Sequence, residues 1–591
     1  MKTSLCQSFL ISSQFPLQSA GNNNGQNLLT DTKNLMDSPG LTPILFERII
    51  NNLKINKKIP NEAIESIEEI ILQNTSDSNS NQSFNFTPID FNSSREIPFE
   101  SIDSNNIQAS EMQTMYNSLN KAWLFLTKMP SSEYRNNSTL IHFDLPFFVP
   151  GGRFNEFYYW DSFWILKGLL GMKMEISAVT LIKNFILMIE KYGYILNGSR
   201  MYYEGRTQPP FFTQMIYLLY NYDRNKYGSF ILGEALNAAI TEYNWFIKNR
   251  SVTLIKEGQS YTLARYFDES ELPRLESFRE DYTVALDFME MKQNFTDHNI
   301  KKLFTDLRSA AESGWDFSTR WFLDGKDLKT IHTSGFIPAD LNAVLFKNEK
   351  IISELLFIKG DIHLANEFQT RSKQREEAIQ MFLWNSKQEI WNDYDFVNLK
   401  LNDKRFYFSN VIPLLMDINP PSKNLKTILK RYEKELFGYI GGAPCSGETN
   451  FDSKQQWDFP NVWAPHQSLL VDFLMEKEMD ELAIHTARSF YENVKKGFKT
   501  HGVFFEKYNC LSLGETGNGG EYLPQEGFGW TNGVTIDFIV KFGKKMLQNF
   551  DHESSFKFVS KLLTDESKVE NPLTFEKPLL FETGVKVSGV S

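Results

Sequence analysis

Six carboxylates stand in connecting segments of this chain rather than inside helical stretches: Asp161, Glu276, Asp316, Asp458, Glu506 and Glu521. Their neighbours are arginines, tryptophans, tyrosines and glycines instead of ordinary turn residues. Two facing carboxyl groups are the equipment for splitting a glycosidic bond. One protonates the leaving oxygen, and in an inverting reaction the other activates water at a separation of about 6.5–9.5 Å. Residue chemistry alone leaves open which of the six face each other.

Each motif adds a different tool. In PGGRFNEFYYWDSFW, residues 150–164, two glycines permit a tight turn that exposes Arg153, with Trp160 and Asp161 close behind. An arginine fork, an aromatic plate and a carboxylate suit a polyhydroxylated ring; an Arg–Asp structural pair beside core aromatics is the alternative reading. NGSRMYYEGRTQPP, 197–210, carries Asn197, Arg206 and Gln208, and Pro209-Pro210 stops any helix running through them. RLESFREDY, 274–282, offers Arg274 and Glu276 but is weak by itself, because charge runs are usually solvated faces. In ESGWDFSTRW, 312–321, Asp316 lies between Trp315 and Phe317. Lost hydration there would raise its pKa toward that of a general acid, although an aspartate next to Ser and Thr also reads as a helix N-cap. QWDFPNVWAP, 456–465, lines a pocket or plugs the end of a helical barrel. Between Glu506 in FFEKY and Gly533, the glycines 517, 519 and 520 make a segment able to fold over a substrate, with Glu506 and Glu521 both available.

The elements that must position these loops read as helices. Apolar residues recur at helical spacing over 229–247, 341–358, 361–384, 464–496 and 532–548, while alternating runs are rare and short. The pattern predicts an all-α architecture of antiparallel helices in two layers, with function in the joining loops. Residues 74–94, dominated by Asn and Ser, read as a flexible insertion, and the chain after about 551 as a polar tail.

Bulk properties narrow the partners. Of 591 residues, 41% are hydrophobic and 23% charged, enough for a sizeable core. The formal charge of −11, from 73 acidic against 62 basic residues, disfavours nucleic acid or an anionic membrane and suits a neutral substrate. Three cysteines, Cys6, Cys445 and Cys510, exclude a multi-bridge framework, and eight scattered histidines give no zinc spacing, so neither metal nor cofactor is expected. No apolar run approaches the roughly 20 residues that span a bilayer, and the stretch from Leu5 to Phe15 makes a poor signal peptide. The expectation leans to a soluble cytoplasmic chain; sequons at Asn74, Asn81, Asn85, Asn137 and Asn294 leave a secreted or lysosomal location open. Oligomeric state carries no sequence signature.

PGGRFNEFYYWD and QWDFPNVWAP resemble the two signature motifs of the trehalases, glycoside hydrolase family 37, and ESGWDFSTRW, EKY and GGEYLPQEGFGWTNGV look like further blocks of that family. The resemblance runs from about residue 28, at LLTDTKNLMDSP, to about 550. It implies an (α/α)6 toroid with the active site at one mouth, and hydrolysis of α,α-trehalose to two glucose molecules with inversion. It assigns Asp316 as general acid and Glu506 as general base. Arg153, Trp160, Asp161, Asn197, Arg206, Gln208, Arg274, Glu276, Gly314 and Glu521 match subsite positions, Glu521 on a lid loop. The implied division is an N-terminal segment 1–27, one catalytic domain 28–550 containing the 74–94 insertion, and a tail 551–591. Phe163, Val462 and Leu275 depart from the usual Tyr, Gly and Pro of the motifs, which touches subsite shape and loop rigidity but no ionisable group. No aspartate-rich calcium loop of EF-hand type is present. The alternatives are another α-glucosidase on the same toroid, or a catalytically silent sugar-binding protein, which the presence of both Asp316 and Glu506 weighs against.

Overall fold

The computed structural model describes residues 83–98, 107–131, 138–292, 295–421 and 425–564, all within the unit Asp77–Ser591. The segment 1–27, the block near residue 28, Cys6, residues 74–82 of the Asn/Ser-rich stretch and residues 565–591 lie outside them.

Two layers of helices alternate along the chain. The outer layer holds α1 (Ile107–Leu126), α3 (Glu175–Tyr192), α5 (Leu236–Arg250), α7 (Ile362–Phe382), α9 (Leu425–Arg431) and α11 (Asp480–His501). The inner layer holds α2 (Asp161–Gly171), α4 (Phe212–Tyr222), α6 (Ala339–Lys359), the single turn α8 (Ile412–Leu415), α10 (Ala464–Glu476) and α12 (Gly529–Met546). Each inner helix packs on the next, and α12 returns to pack on α2, which closes an (α/α)6 ring. Burial follows the layers: α2 is buried from Asp161 to Leu170, whereas α7 buries one stripe including Ala365, Phe368, Ser372, Ile379 and Phe382. At the closing seam glycine is required, because a Cβ on Gly168 would lie 2.6 Å from the Cα of Gly533 and one on Gly533 would lie 2.0 Å from the Trp164 carbonyl.

Connection lengths place the site. Several inner-to-outer turns are short, as at 172–174, 360–361 and 477–479, so one end of the ring is a tight floor. The outer-to-inner loops are long, at 127–160, 193–211, 251–338, 383–411, 432–463 and 502–528. These loops enter the inner helices at their N-termini and gather at the opposite end, the mouth. Nearly every residue singled out by chemistry lies in one of them. The 251–338 connection is the largest, with the hairpin Ser251–Lys256/Gln259–Ala264 and the helices Phe278–Met291 and Asp297–Ser313.

Among the described residues, sheets are confined to small clips, as the scarcity of alternating runs implies. Ser83–Asn85, inside the Asn/Ser-rich stretch, pairs with Thr127–Pro130. Residues 552–564, expected in a polar tail, form helix α13 (His552–Thr564), which buries Val559 and Leu563 and packs on α9 and α11. Apolar residues at four-residue spacing supply that stripe amid polar neighbours.

Candidate active site

The loop that carries Asp316 begins where helix Asp297–Ser313 ends. Gly314 has φ +74°, and a Cβ there would meet the Trp160 ring at 2.6 Å, so conformation and space both call for glycine. Trp315 stacks on Trp457 at 5.3 Å, and Trp457 stacks on Trp463 at 4.0 Å. Asp316, between Trp315 and Phe317 in the chain, accepts at its backbone carbonyl from the Gln456 side-chain amide. Ser318, not Asp316, caps the following turn, accepting from the Arg320 N–H at 3.1 Å. The Asp316 carboxyl is therefore free of capping. Burial pushes its pKa up to about 7; Arg274 opposes the rise and Glu521 adds to it. Asp458, eligible by chemistry, serves the scaffold instead. It accepts from the Ser318 hydroxyl at 2.7 Å and the Thr319 N–H at 3.1 Å, which stitches the fourth motif to the fifth.

Glu506 enters from the loop before α12. Its backbone N–H donates to the Gln525 carbonyl at 2.8 Å, and its own carbonyl accepts from the Trp530 indole at 2.9 Å. Its carboxylate accepts from the Tyr522 hydroxyl at 2.7 Å and from the Gln525 N–H at 3.3 Å. Burial raises the Glu506 carboxyl, and Lys507, Tyr522, Gln525 and Arg153 restrain the rise. Asp161, the first residue of α2, is raised well above the carboxylate range by burial and then by the charges of Glu506 and Asp316. Tyr522 is raised by burial and by the same two carboxylates. Asp161, Asp316 and Glu506 thus lie within one electrostatic field.

Arginines frame this acidic centre. Arg274 binds Asp281 and, at 2.6 Å, Glu521, with its guanidinium 4.9 Å from the Phe317 ring centre. Arg206 pairs with Glu276, while its Nε and Nη1 are buried without a protein partner. Burial works to raise Glu276, but Arg206 and Arg274 outweigh it and hold the carboxyl below its usual range. Arg153 is exposed, 5.1 Å from the centre of the Tyr522 ring, and its backbone N–H donates to the Gln525 side chain at 2.8 Å. Gln208 accepts from the Trp160 N–H at 3.1 Å, and the Asn197 amide donates to the Thr207 and Ala311 carbonyls at 3.0 and 3.3 Å, so both brace the loops that carry Trp160 and Arg206.

The sequence motifs are therefore brought together, and residues outside the expected set complete them. Tyr522 and Gln525 grip Glu506, with only their closeness to Glu521 as a sequence signal. Glu312 binds Arg250 through two bonds at 2.7 Å and accepts from the N–H groups of Thr207 and Phe267 at 3.1 and 3.0 Å, fixing the segment behind Arg206. Arg250 sits at the end of an ordinary helix and carries no sequence signal.

The trehalase family model matches residues 23–543, across the ring and every loop just described. The chain belongs to the trehalase family. The trehalase of Bombyx mori is 37% identical to it over 72% of this chain and 74% of that one; the trehalase of Dictyostelium discoideum is 36% identical over 73% and 74%, and that of Homo sapiens 33% over 74% and 75%. Among solved structures, neutral trehalase Nth1 from Saccharomyces cerevisiae is 25% identical, with a TM-score of 0.55 over 70% of this chain and 76% of that one. The three departures from the trehalase motifs fall on scaffold. Phe163 packs on Phe211 at 5.1 Å, Val462 pairs with Tyr508 in a two-stranded clip, and Leu275 opens a single helical turn. Among the described residues no helix is long and apolar enough to cross a membrane, and no group of three His, Cys, Asp or Glu could hold a metal ion.

Proposed function

We propose that this chain hydrolyses α,α-trehalose to two molecules of glucose with inversion at one anomeric carbon, Asp316 acting as general acid and Glu506 as general base, within a catalytic region spanning about 28–550. The observation that carries the reading is that Asp161 and Tyr522 each feel the charge of both Asp316 and Glu506. That shared influence puts the two carboxyls in one neighbourhood, which supports their acting on one substrate.

Asp316, with a pKa of about 7, holds its proton near neutrality and can deliver it to the glycosidic oxygen as the C1–O bond breaks. Glu506 takes a proton from water as that water's oxygen bonds to C1 from the opposite face. Its raised pKa makes it a stronger base than a free carboxylate. After turnover Glu506 carries the proton and Asp316 the charge, and exchange with solvent resets both. Arg206, with two unpartnered buried nitrogens, and Arg153, Arg274, Glu276 and Glu521 supply donors and acceptors for sugar hydroxyls, while Trp160 supplies an aromatic ring, backed by Trp457.

Proton NMR of fresh product from purified protein and trehalose tests substrate and stereochemistry together. One α- and one β-glucose per trehalose is expected; two α-glucoses at early time, or turnover of maltose or sucrose in its place, would overturn the proposal.

A further inference from the structure

Lys507 is fully buried, an unusual place for a lysine unless its N–H groups find partners. Its ammonium donates to the Gln456 side-chain oxygen at 2.8 Å and to the Gly519 carbonyl at 3.1 Å, and it lies 5.2 and 5.7 Å from the ring centres of Trp463 and Tyr522. An ammonium only donates, so it fixes which end of the Gln456 amide faces it. The other end, the NH₂ group, then points at the backbone carbonyl of Asp316 and donates to it.

The Gly519 contact belongs to a larger docking surface. The Gly520 N–H donates to the Lys454 carbonyl at 3.1 Å, the Gly517 N–H to the Lys507 carbonyl at 3.0 Å, and the Asn518 N–H to the Asn461 side chain at 2.8 Å. Side chains are excluded there. A Cβ would lie 2.5 Å from Asn461 Oδ1 at Gly517, 2.7 Å from the Lys454 carbonyl at Gly519 and 2.9 Å from Gln456 Oε1 at Gly520. The backbone of 517–520 thus lies directly on the shelf 454–461. The segment continues into Glu521, Tyr522 and Gln525, which bind Arg274 and Glu506.

We propose that Lys507 is a positioning residue that couples docking of the glycine segment 517–520 to the placement of Asp316, through Gln456. The inference rests on Asp316 being the general acid. With the segment docked, Lys507 has both oxygen partners and orients Gln456. With it lifted, the ammonium loses the Gly519 carbonyl, and the Lys507–Gln456 bond that orients the amide is left without its second anchor. Proton delivery is thereby tied to a covered site.

Steady-state kinetics on trehalose and on α-D-glucopyranosyl fluoride, whose leaving group needs less protonation, separate this role from a merely structural one. In Lys507→Met, kcat on trehalose should fall about 10- to 100-fold, part of the roughly 10²–10⁴ that acid catalysis contributes, while turnover of the fluoride falls much less. Gln456→Leu, which breaks the same chain without touching a charge, should reproduce that pattern, and the double variant should be no worse than the poorer single one. Amide hydrogen exchange should quicken at 517–525 in Lys507→Met and stay unchanged in the inner helices. Near-normal trehalose turnover by both variants, or equal losses on both substrates, would overturn the link while an inactive Asp316→Asn still upheld the acid. Full turnover of trehalose by Asp316→Asn would overturn the acid assignment and the link with it.

Discussion

At the mouth of the ring, burial raises the carboxyls of Asp161, Asp316 and Glu506; the charges of Glu506 and Asp316 add to the rise at Asp161 and that of Glu521 to the rise at Asp316, and the nearby cations do not outweigh it. Lys167 lies six residues beyond Asp161 on α2, about 9 Å deeper at 1.5 Å per residue. Here the same residue types form closed pairs. Lys167 donates to Asp472 and Asp537 at 2.6 and 3.0 Å, Lys541 to the same two at 2.7 and 2.8 Å, and Lys347 and Lys477 both to Asp417 at 2.5 and 2.8 Å. Burial favours a neutral Asp417, yet its two lysines hold the carboxyl well below its usual range. These pairs, with the bond from Tyr217 to Glu354, tie α2, α4, α6, α10, α12 and the chain just after α8 to one another at the floor. Burial is common to both ends; cation supply is what differs. A fold that neutralises every buried acid is a stable scaffold, and one that leaves three short of cations at its mouth has proton chemistry available near neutral pH.

The largest expected effect comes from removing the proton chemistry. Asp316→Asn or Glu506→Gln should lower kcat by about 10³-fold or more, against the roughly 10²–10⁴ ascribed to a positioned proton donor or acceptor. Neither should destabilise the fold, since each removes a buried acid short of cations. Kinetics and urea unfolding on the same preparations check both halves, and substantial activity in either variant would break the comparison. At the floor the expectation reverses. Asp417→Asn leaves two lysines facing a neutral amide and should cost about 3 kcal/mol of stability, in the range for breaking a buried pair, with kcat unchanged. A lost kcat with intact stability would show that the floor reaches the chemistry.

A smaller effect sharpens the electrostatics of the mouth. Glu521 helps to raise Asp316 and also engages Arg274, which acts to lower it. Glu521→Gln removes the first influence and frees the second, so the pKa of the acid should fall. Because Asp316 must be protonated in its proposed role as the acid, the alkaline limb of the kcat/KM profile should move to lower pH; a limb that stays in place would take Glu521 out of the tuning. Asp316 also leaves a mark on stability. Its folded pKa of about 7 exceeds the usual 3.8, so the folded state keeps a proton that the unfolded chain has released. That contribution is complete below about pH 3.8 and is lost as pH rises toward 7. Asp316→Asn should flatten this slope.

The mouth was partly legible beforehand and the floor was not, and the reasons differ by residue. Helical spacing marked α5, α6, α7 and α12 because an apolar stripe is a local property of sequence, but it ran α10 and α11 together over 464–496, where the turn 477–479 divides them. Asp316 and Glu506 stood out through their aromatic and glycine surroundings, but six carboxylates remained equivalent until the resemblance chose between them, because facing is a long-range relation. Arg250 gave no signal, and Glu312 and Lys507 fell inside quoted motifs without their roles showing, since each acts through partners 12 to 105 positions away. The floor pairs were silent for the same reason. Lys347, Asp417 and Lys477 lie on three separate segments, and a surface lysine looks the same in sequence. Helix α13 was missed because its buried stripe is narrow and set among polar residues.

The smallest single-site effect should come from that trio. Asp417 has two lysines, so removing either leaves the carboxylate with one close cation. Lys347→Met and Lys477→Met should each cost only about 1 kcal/mol, whereas the double variant strands a buried charge and should cost about 3 kcal/mol or more, a coupling well outside additivity. Urea unfolding of the four proteins measures it. Simple additivity would mean that Asp417 finds water or a proton on losing one partner, and the floor would then resemble the mouth. Strong coupling would mean that the deep end cannot tolerate an uncompensated acid, which the mouth sustains as the condition of its chemistry.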